Sequence, residues 1–334
     1  MKIRGLNWLL ALVAIICLSS CATDCNEELD TSNISIDAPY VPLHLEIRNI
    51  TTAEDAIQFI DNHHLFTNYL LSSGMPKIQL GTSIYKLGTD EKLNDLLAEV
   101  NKQFPHFESQ KAELDELFAN ISTFYPEFNV PTVYSMVSGY GGFTLEDGDS
   151  LLIVGLEYFM DSTAAYTPNR QEMPGYIKKY YTPQTITLKA AQAIAARYLA
   201  YDRSDRRLIN EMIKFGKIIY FSKRVLPCKS EAEIMEYSEE ELLGCYDNEF
   251  TVYSYFTRNE LFFNSDREPL RLFVHQRPHT MELGEKSPGR LGQWLGYKIV
   301  NAYMENNDVS LQDLMSDTDH AQIFSQSGYK PRKP

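Results

Sequence analysis

The chain has 334 residues, of which 44% are hydrophobic and 12% aromatic, and a formal net charge of −14. This composition excludes a disordered polymer, and the length suffices for one large domain or two ordinary ones with a full core. The acidic balance excludes nucleic acid as a partner, because neutralising phosphates requires a basic face.

Lys2 and Arg4 open the chain, and Trp8 to Leu18 is an unbroken apolar run. It is too short to span a bilayer, which takes roughly 20 apolar residues. With the small residues that follow, it reads as a signal peptide over residues 1–20. Leu18-Ser19-Ser20-Cys21 resembles the lipobox of bacterial lipoproteins. Cys21 is therefore expected to become the first residue of the mature chain and to carry the lipid. Attachment to the membrane, most simply the outer membrane, would come from acyl chains such as palmitate. Each buried methylene contributes about 0.8 kcal/mol. Residues 21–40 are polar and acidic and read as a flexible tether, with residues 41–334 as one globular domain. Asp24, Glu27 and Glu28 form an acidic patch just after Cys21, which either favours surface display or is simply a soluble tether.

Leu43 to Ile47 alternates and predicts a short strand. Apolar spacing predicts helices over Ala53–Ile60, Glu91–Phe104 and Lys111–Phe124. The period then changes to two. Val133–Val137, Phe143–Leu145 and Leu151–Leu156, with Asp147-Gly148-Asp149 as a hairpin signal, predict a small antiparallel sheet. Thr182-Pro183 predicts a helix start, with Thr182 as cap, running to about Leu199. Further helices are expected over Arg207–Val225, from Ser238 toward Phe262 behind a capping box, and from Ser287-Pro288 to Tyr303. The fold class is α+β, mostly α-helical.

Among the cysteines, Cys228 and Cys245 flank a short helical hairpin and could form a disulfide in an oxidising compartment, or stay as two buried thiols. Cys25 has no evident role. The histidines show no His-Glu-x-x-His. His275 and His279 have the spacing, but Pro278 would break a helix there, so surface or loop positions are expected. No nucleophile elbow, P-loop, dinucleotide fingerprint or calcium loop occurs, and no catalytic residue, metal ligand or cofactor is assigned. The aromatic residues fall mostly on core stripes.

The segment Ser287 to Val300 places Gly289, Gly292 and Gly296 where a helix should avoid them, at about 1 kcal/mol each relative to Ala. Gly292 and Gly296 share one face. Together with Arg290, Trp294 and Tyr297 they mark either tight internal packing or a partner groove at the helix start, where an anion would be attracted.

The run Pro288 to Met304 resembles the C-terminal signature of the gliding-motility lipoprotein B family of Bacteroidota. Gly216–Phe221, Asn248-Glu249, Asn259–Phe263 and the ending Tyr329–Lys333 are similar to it as well, as is the lipobox at Cys21. The resemblance implies a cell-envelope lipoprotein needed for gliding, with partners among other envelope proteins of gliding motility or type IX secretion. It also implies a more distant likeness to gluzincin-type zinc peptidases and hence a zincin-like, degenerate architecture. At the corresponding frame, Ala191, Gln192 and Ala195 stand where His, Glu and His would. Ala has no metal-binding atom and Gln is no base, so the expected role is a non-catalytic interaction module. The alternatives are a surface lipoprotein that binds a glycan or nutrient, and an atypical metallopeptidase.

Overall fold

The computed structural model describes residues 29–332 apart from Ser73, Arg170 and Glu172. The signal peptide, Cys21 and Cys25 lie outside the described residues.

A short strand β1 (Tyr40–Pro42) leads into five small helices, α1 (Leu43–Ile47), α2 (Ala53–Asn62), α3 (His64–Ser72), α4 (Lys77–Thr89) and α5 (Glu91–Gln103), and then the longer α6 (Glu108–Phe124). Three strands follow, β2 (Thr132–Met136), β3 (Leu145–Gly148) and β4 (Leu151–Gly155). The remainder is helical: α7 (Gly175–Lys178), α8 (Ile186–Tyr198), α9 (Leu208–Val225), α10 (Glu231–Met235), α11 (Glu239–Asp247), α12 (Glu249–Arg258), α13 (Arg267–Phe273), α14 (Leu291–Asn306), α15 (Leu311–Ser316) and α16 (His320–Gln326).

The expected α+β class holds, but the sheet is mixed, not antiparallel. Its order is β1-β2-β4-β3. β1 and β4 both run parallel to β2, and only the β3–β4 hairpin is antiparallel. The reason lies in β4. Leu151–Gly155 is buried at every position, so it needs partners on both edges and cover on both faces. A non-alternating apolar strand of this kind belongs in the middle.

The sheet divides two cores. Tyr134, Met136, Leu151 and Ile153 point into the smaller one, formed with helices α1 to α4. Val133, Val137, Leu152 and Val154 point into the larger one, formed with the remaining helices. Alternate residues of β2 and β4 thus face opposite ways, as the pleat requires.

Other boundaries move for local reasons. Leu43–Ile47 is a helix, because Leu43, His44 and Ile47 are buried while Leu45 is 45% exposed. That is the spacing of one helical face. The helix starting at Glu239 stops at Asp247, and a second begins at Glu249. The last long helix begins at Leu291 instead of Pro288, since Arg290 takes a left-handed φ of 62°. Thr182 caps a short 3-10 turn, Pro183–Thr185, that feeds α8.

The end of the segment read as a tether lies against the body. Ala38 is buried, and its N–H donates to Asp115 Oδ1 on α6 at 3.0 Å. The Cys228–Cys245 pairing is also corrected. Cys245 is a free thiol, buried so that its pKa is pushed up to about 12. Cys228, in the exposed turn before α10, is disulfide-bonded to a different residue.

Candidate functional site

The glycines of the tail segment are spent on close packing. A Cβ on Gly296 would sit 1.9 Å from the carbonyl oxygen of Met212, and one on Gly216 would sit 2.5 Å from the carbonyl of Gly296. Helices α9 and α14 therefore cross with their backbones nearly touching. Gly292 meets Phe273 O at 2.8 Å and Gly289 meets Arg277 O at 1.9 Å in the same sense. Trp294 is fully buried and stacks edge-on with Tyr246 at 6.0 Å between ring centroids. Tyr297 is buried too. The glycine contacts show internal packing along the segment, while Pro288 and Leu291 at the helix start also line an open cavity of about 910 Å³ with Ser238, Glu241, Gly284 and Ser287.

Arg290 is the exception, because its environment is polar. The residue is only 5% exposed. Nη1 lies 3.3 Å from Glu236 Oε2, and Nη2 donates to the carbonyls of Met235 at 2.9 Å and Glu236 at 3.2 Å. The guanidinium also lies over the rings of Tyr180 and Tyr237, at 5.2 and 5.4 Å. Glu236 closes α10 in a left-handed conformation, φ 55°. Two non-glycine residues held in this sparsely populated region face one another, an arrangement the surroundings must enforce.

Glu236 has a second cation. Its Oε1 accepts from Lys189 Nζ on α8 at 2.5 Å, and that ammonium lies 4.7 Å from the Tyr181 ring. Burial pushes the Lys189 pKa down, while the Glu236 charge opposes the fall. Two buried cations on one carboxylate leave a surplus positive charge. Such a surplus is costly in a protein interior unless further acceptors stand near it. Tyr237 completes the cluster by donating to Gly289 O at 2.6 Å. Above it opens a cleft of about 400 Å³ whose charged lining is Lys179, Lys229, Glu233, Glu236 and Glu241, with Tyr180 and Tyr237 between them. The lining mixes two ammonium groups with three carboxylates, Lys229 already lies 3.7 Å from Glu233, and Lys189 and Arg290 sit behind it on Glu236.

Other expectations resolve individually. Ala191 and Ala195 are fully buried in α8, so the frame compared with a zinc motif is a packing stripe. His64, His106, His275 and His279 are exposed. His44 and His320 are instead core residues: His44 Nδ1 lies 2.8 Å from Ser135 Oγ, and His320 Nδ1 lies 2.9 Å from Asn210 O. Among the described residues, no group of three or more His, Cys, Asp and Glu side chains is placed to hold a metal ion. The sequence singled out Arg290 but missed Glu236, Lys189, Tyr180 and Tyr237. The one available signal was Lys189, a charge inside the apolar run Ile186–Ala195.

No curated protein and no solved structure matches the chain. A family model described as gliding motility protein GldB matches residues 24–331.

Proposed function

Since the chain belongs to the family of gliding motility protein GldB, we propose that it is a lipid-anchored component of the cell envelope that serves gliding by binding other envelope proteins, without catalysis of its own. The match over nearly the whole chain carries this reading. Among the described residues no helix is long and apolar enough to cross a membrane. The proposed anchor is the lipid at Cys21, since Leu18-Ser19-Ser20-Cys21 resembles a lipobox. The outer membrane is its proposed site.

The cleft beside Glu236 is the proposed docking point. Its lining offers ammonium groups at Lys179 and Lys229 beside carboxylates at Glu233 and Glu241, so the proposed partner surface carries charges of both signs. The non-catalytic role is supported by the Ala, Gln and Ala at positions 191, 192 and 195, none of which can ligate zinc or act as a base.

The test is deletion of the gene in a gliding host, with cell movement and colony spreading as readouts. Loss of movement, restored by the wild-type gene, is expected; unchanged movement would sink the role. Complementation with Lys179→Glu plus Lys229→Glu separates docking from mere presence. The doubly substituted protein should accumulate normally and fail both to restore movement and to crosslink its partner. Full restoration would move the docking point elsewhere.

A further inference from the structure

Helix α4 carries an outer ridge that the fold leaves uncovered. Ile78 is 86% exposed, and Tyr85, two turns on and about 10.5 Å along the axis, lies on the same side. Thr82 and Thr89 share that side. Their hydroxyls turn back onto the helix: Thr82 Oγ1 donates to Ile78 O and Thr89 Oγ1 to Tyr85 O, each at 2.9 Å. Both hydroxyl protons are thus satisfied within the helix and need nothing from water.

Helix α2 widens the ridge. It packs antiparallel to α4. Lys77 Nζ lies 3.7 Å from Asp61 Oδ1, a Cβ on Gly81 would lie 3.6 Å from Ile60 Cδ1, and one on Gly88 would lie 2.5 Å from Ile50 O. Ile57, exposed and one turn before Asp61, therefore comes level with the turn of α4 that holds Tyr85. Among the described residues, ten large apolar side chains stand exposed. Five of them, Leu45, Ile57, Leu65, Ile78 and Tyr85, are on α1 to α4, so the patch is concentrated in this layer.

Charge is distributed the other way. The chain has 45 acidic residues, yet residues 62–89 include none. Helix α4 has two lysines, Lys77 and Lys86, and no carboxylate to oppose them. On α2, Asp55 is held in the capping box with Thr52, and Asp61 faces Lys77. The strongly acidic character of the molecule is thus withdrawn from this one face. An aliphatic crest with basic flanks and internally bonded hydroxyls suits the boundary between headgroups and acyl chains. We propose that the outer face of α2 and α4 rests on a lipid bilayer. Ile57 and Ile78 enter the outermost hydrocarbon, Tyr85 sits at headgroup level, and Lys77 and Lys86 reach the phosphates.

The route of the chain agrees with this placement. β1 leads directly into α1, and α4 ends against Ile47 and Ile50. A chain anchored ahead of β1 enters the body beside this face. Only that proximity rests on the lipid anchor proposed above; the make-up of the ridge does not. The sheet then stands between the bilayer and the larger core. The cleft beside Glu236, whose Leu188, Ala232 and Tyr237 belong to the larger core, is left open to partners on the far side.

The test uses the full lipoprotein extracted from envelopes. It is reconstituted into vesicles of phosphatidylethanolamine and phosphatidylglycerol that include a phospholipid with a photoactivatable diazirine on its acyl chain. After illumination and trypsin, lipid adducts are located by mass spectrometry. They are expected on residues 78–86 and 49–77, the peptides that hold Ile78 with Tyr85 and Ile57. Ile57→Ser with Ile78→Ser, both at exposed positions, should leave the denaturation midpoint in place and cut the yield on these peptides about tenfold. Phe263→Ser, exposed over the larger core, should leave the yield unchanged. An undiminished yield in the double variant, or adducts spread evenly over the exposed apolar residues, would overturn the proposal. So would unlabelled peptides whose Lys77 and Lys86 are shielded from an acylating reagent in intact envelopes, because the face would then be a protein interface. The N-terminal peptide of the same digest reports the anchor separately. Adducts on both peptides beside an unacylated Cys21 would keep the face and sink the anchor; an acylated Cys21 with neither peptide labelled would do the reverse.

Discussion

Glu236 carries the polar cluster by itself, since it answers both Lys189 and Arg290. Glu236→Gln keeps the shape and removes the charge, leaving two buried cations without a counterion. The expected loss is about 3–5 kcal/mol in urea unfolding, the range for breaking a buried pair from one side. Two other residues respond to pH in opposite senses. Asp147 is pushed up to about 6 by burial, against the pull of Arg197 and with help from Asp149. Its folded pKa exceeds its unfolded one, so its contribution is present at low pH and lost as pH rises through about 6. His320 moves the other way. Burial first, and then the Lys217 charge, lower it to about 4, so its contribution is present above 6.5 and lost as pH falls through about 4. The two slopes oppose each other over nearly the same window. Asp147→Asn should expose a stability that rises with pH between 4 and 6.5, and His320→Gln one that falls, each by roughly 2 kcal/mol after allowance for partial solvent contact. Denaturant midpoints measured across that window decide it, and parallel profiles in both variants would refute the assignment.

The helices differ in how plainly the sequence announces them. Glu91–Gln103 and Glu108–Phe124 are visible because leucines recur at helical spacing along one stripe. Helices α3 and α4 were missed. Gly81 and Gly88 weaken the α4 pattern, and Gly88 is there because a Cβ would meet Ile50 O at 2.5 Å. That requirement comes from the tertiary structure, and no local rule reveals it. The sheet was legible as strands but not as an order, since parallel pairing joins segments separated by six helices. The site was half legible for the same reason: Arg290 stands in a recognisable run, but its partner Glu236 lies 54 residues earlier and carries no mark of the contact. The α9–α14 crossing gives the sharpest test at this scale. Gly296→Ala would place a methyl 1.9 Å from Met212 O, so the helices must separate. A loss of about 3 kcal/mol is expected in chemical denaturation, at the upper end for overpacking. A change below 1 kcal/mol would show that the crossing is looser than described.

Across the whole molecule, the sheet separates a large core from a small one. The small core is covered by four short helices, and Ile57 and Ile78 on them are 54% and 86% exposed. Local opening follows buried contact, so α2 to α4 should exchange amide hydrogens well before α9 and α14. Hydrogen exchange read by mass spectrometry tests this, and equal protection in both halves would mean that the cores unfold as one. One consequence concerns force. β1 lies parallel to β2, in register from Tyr40 with Val133 to Pro42 with Ser135. A pull on the chain before Tyr40, directed along the strand, slides β1 lengthwise past its neighbour. Its backbone bonds are then strained in concert and do not open one after another like a zipper. Edge strand β1 is thus oriented to resist traction applied through the chain that precedes it.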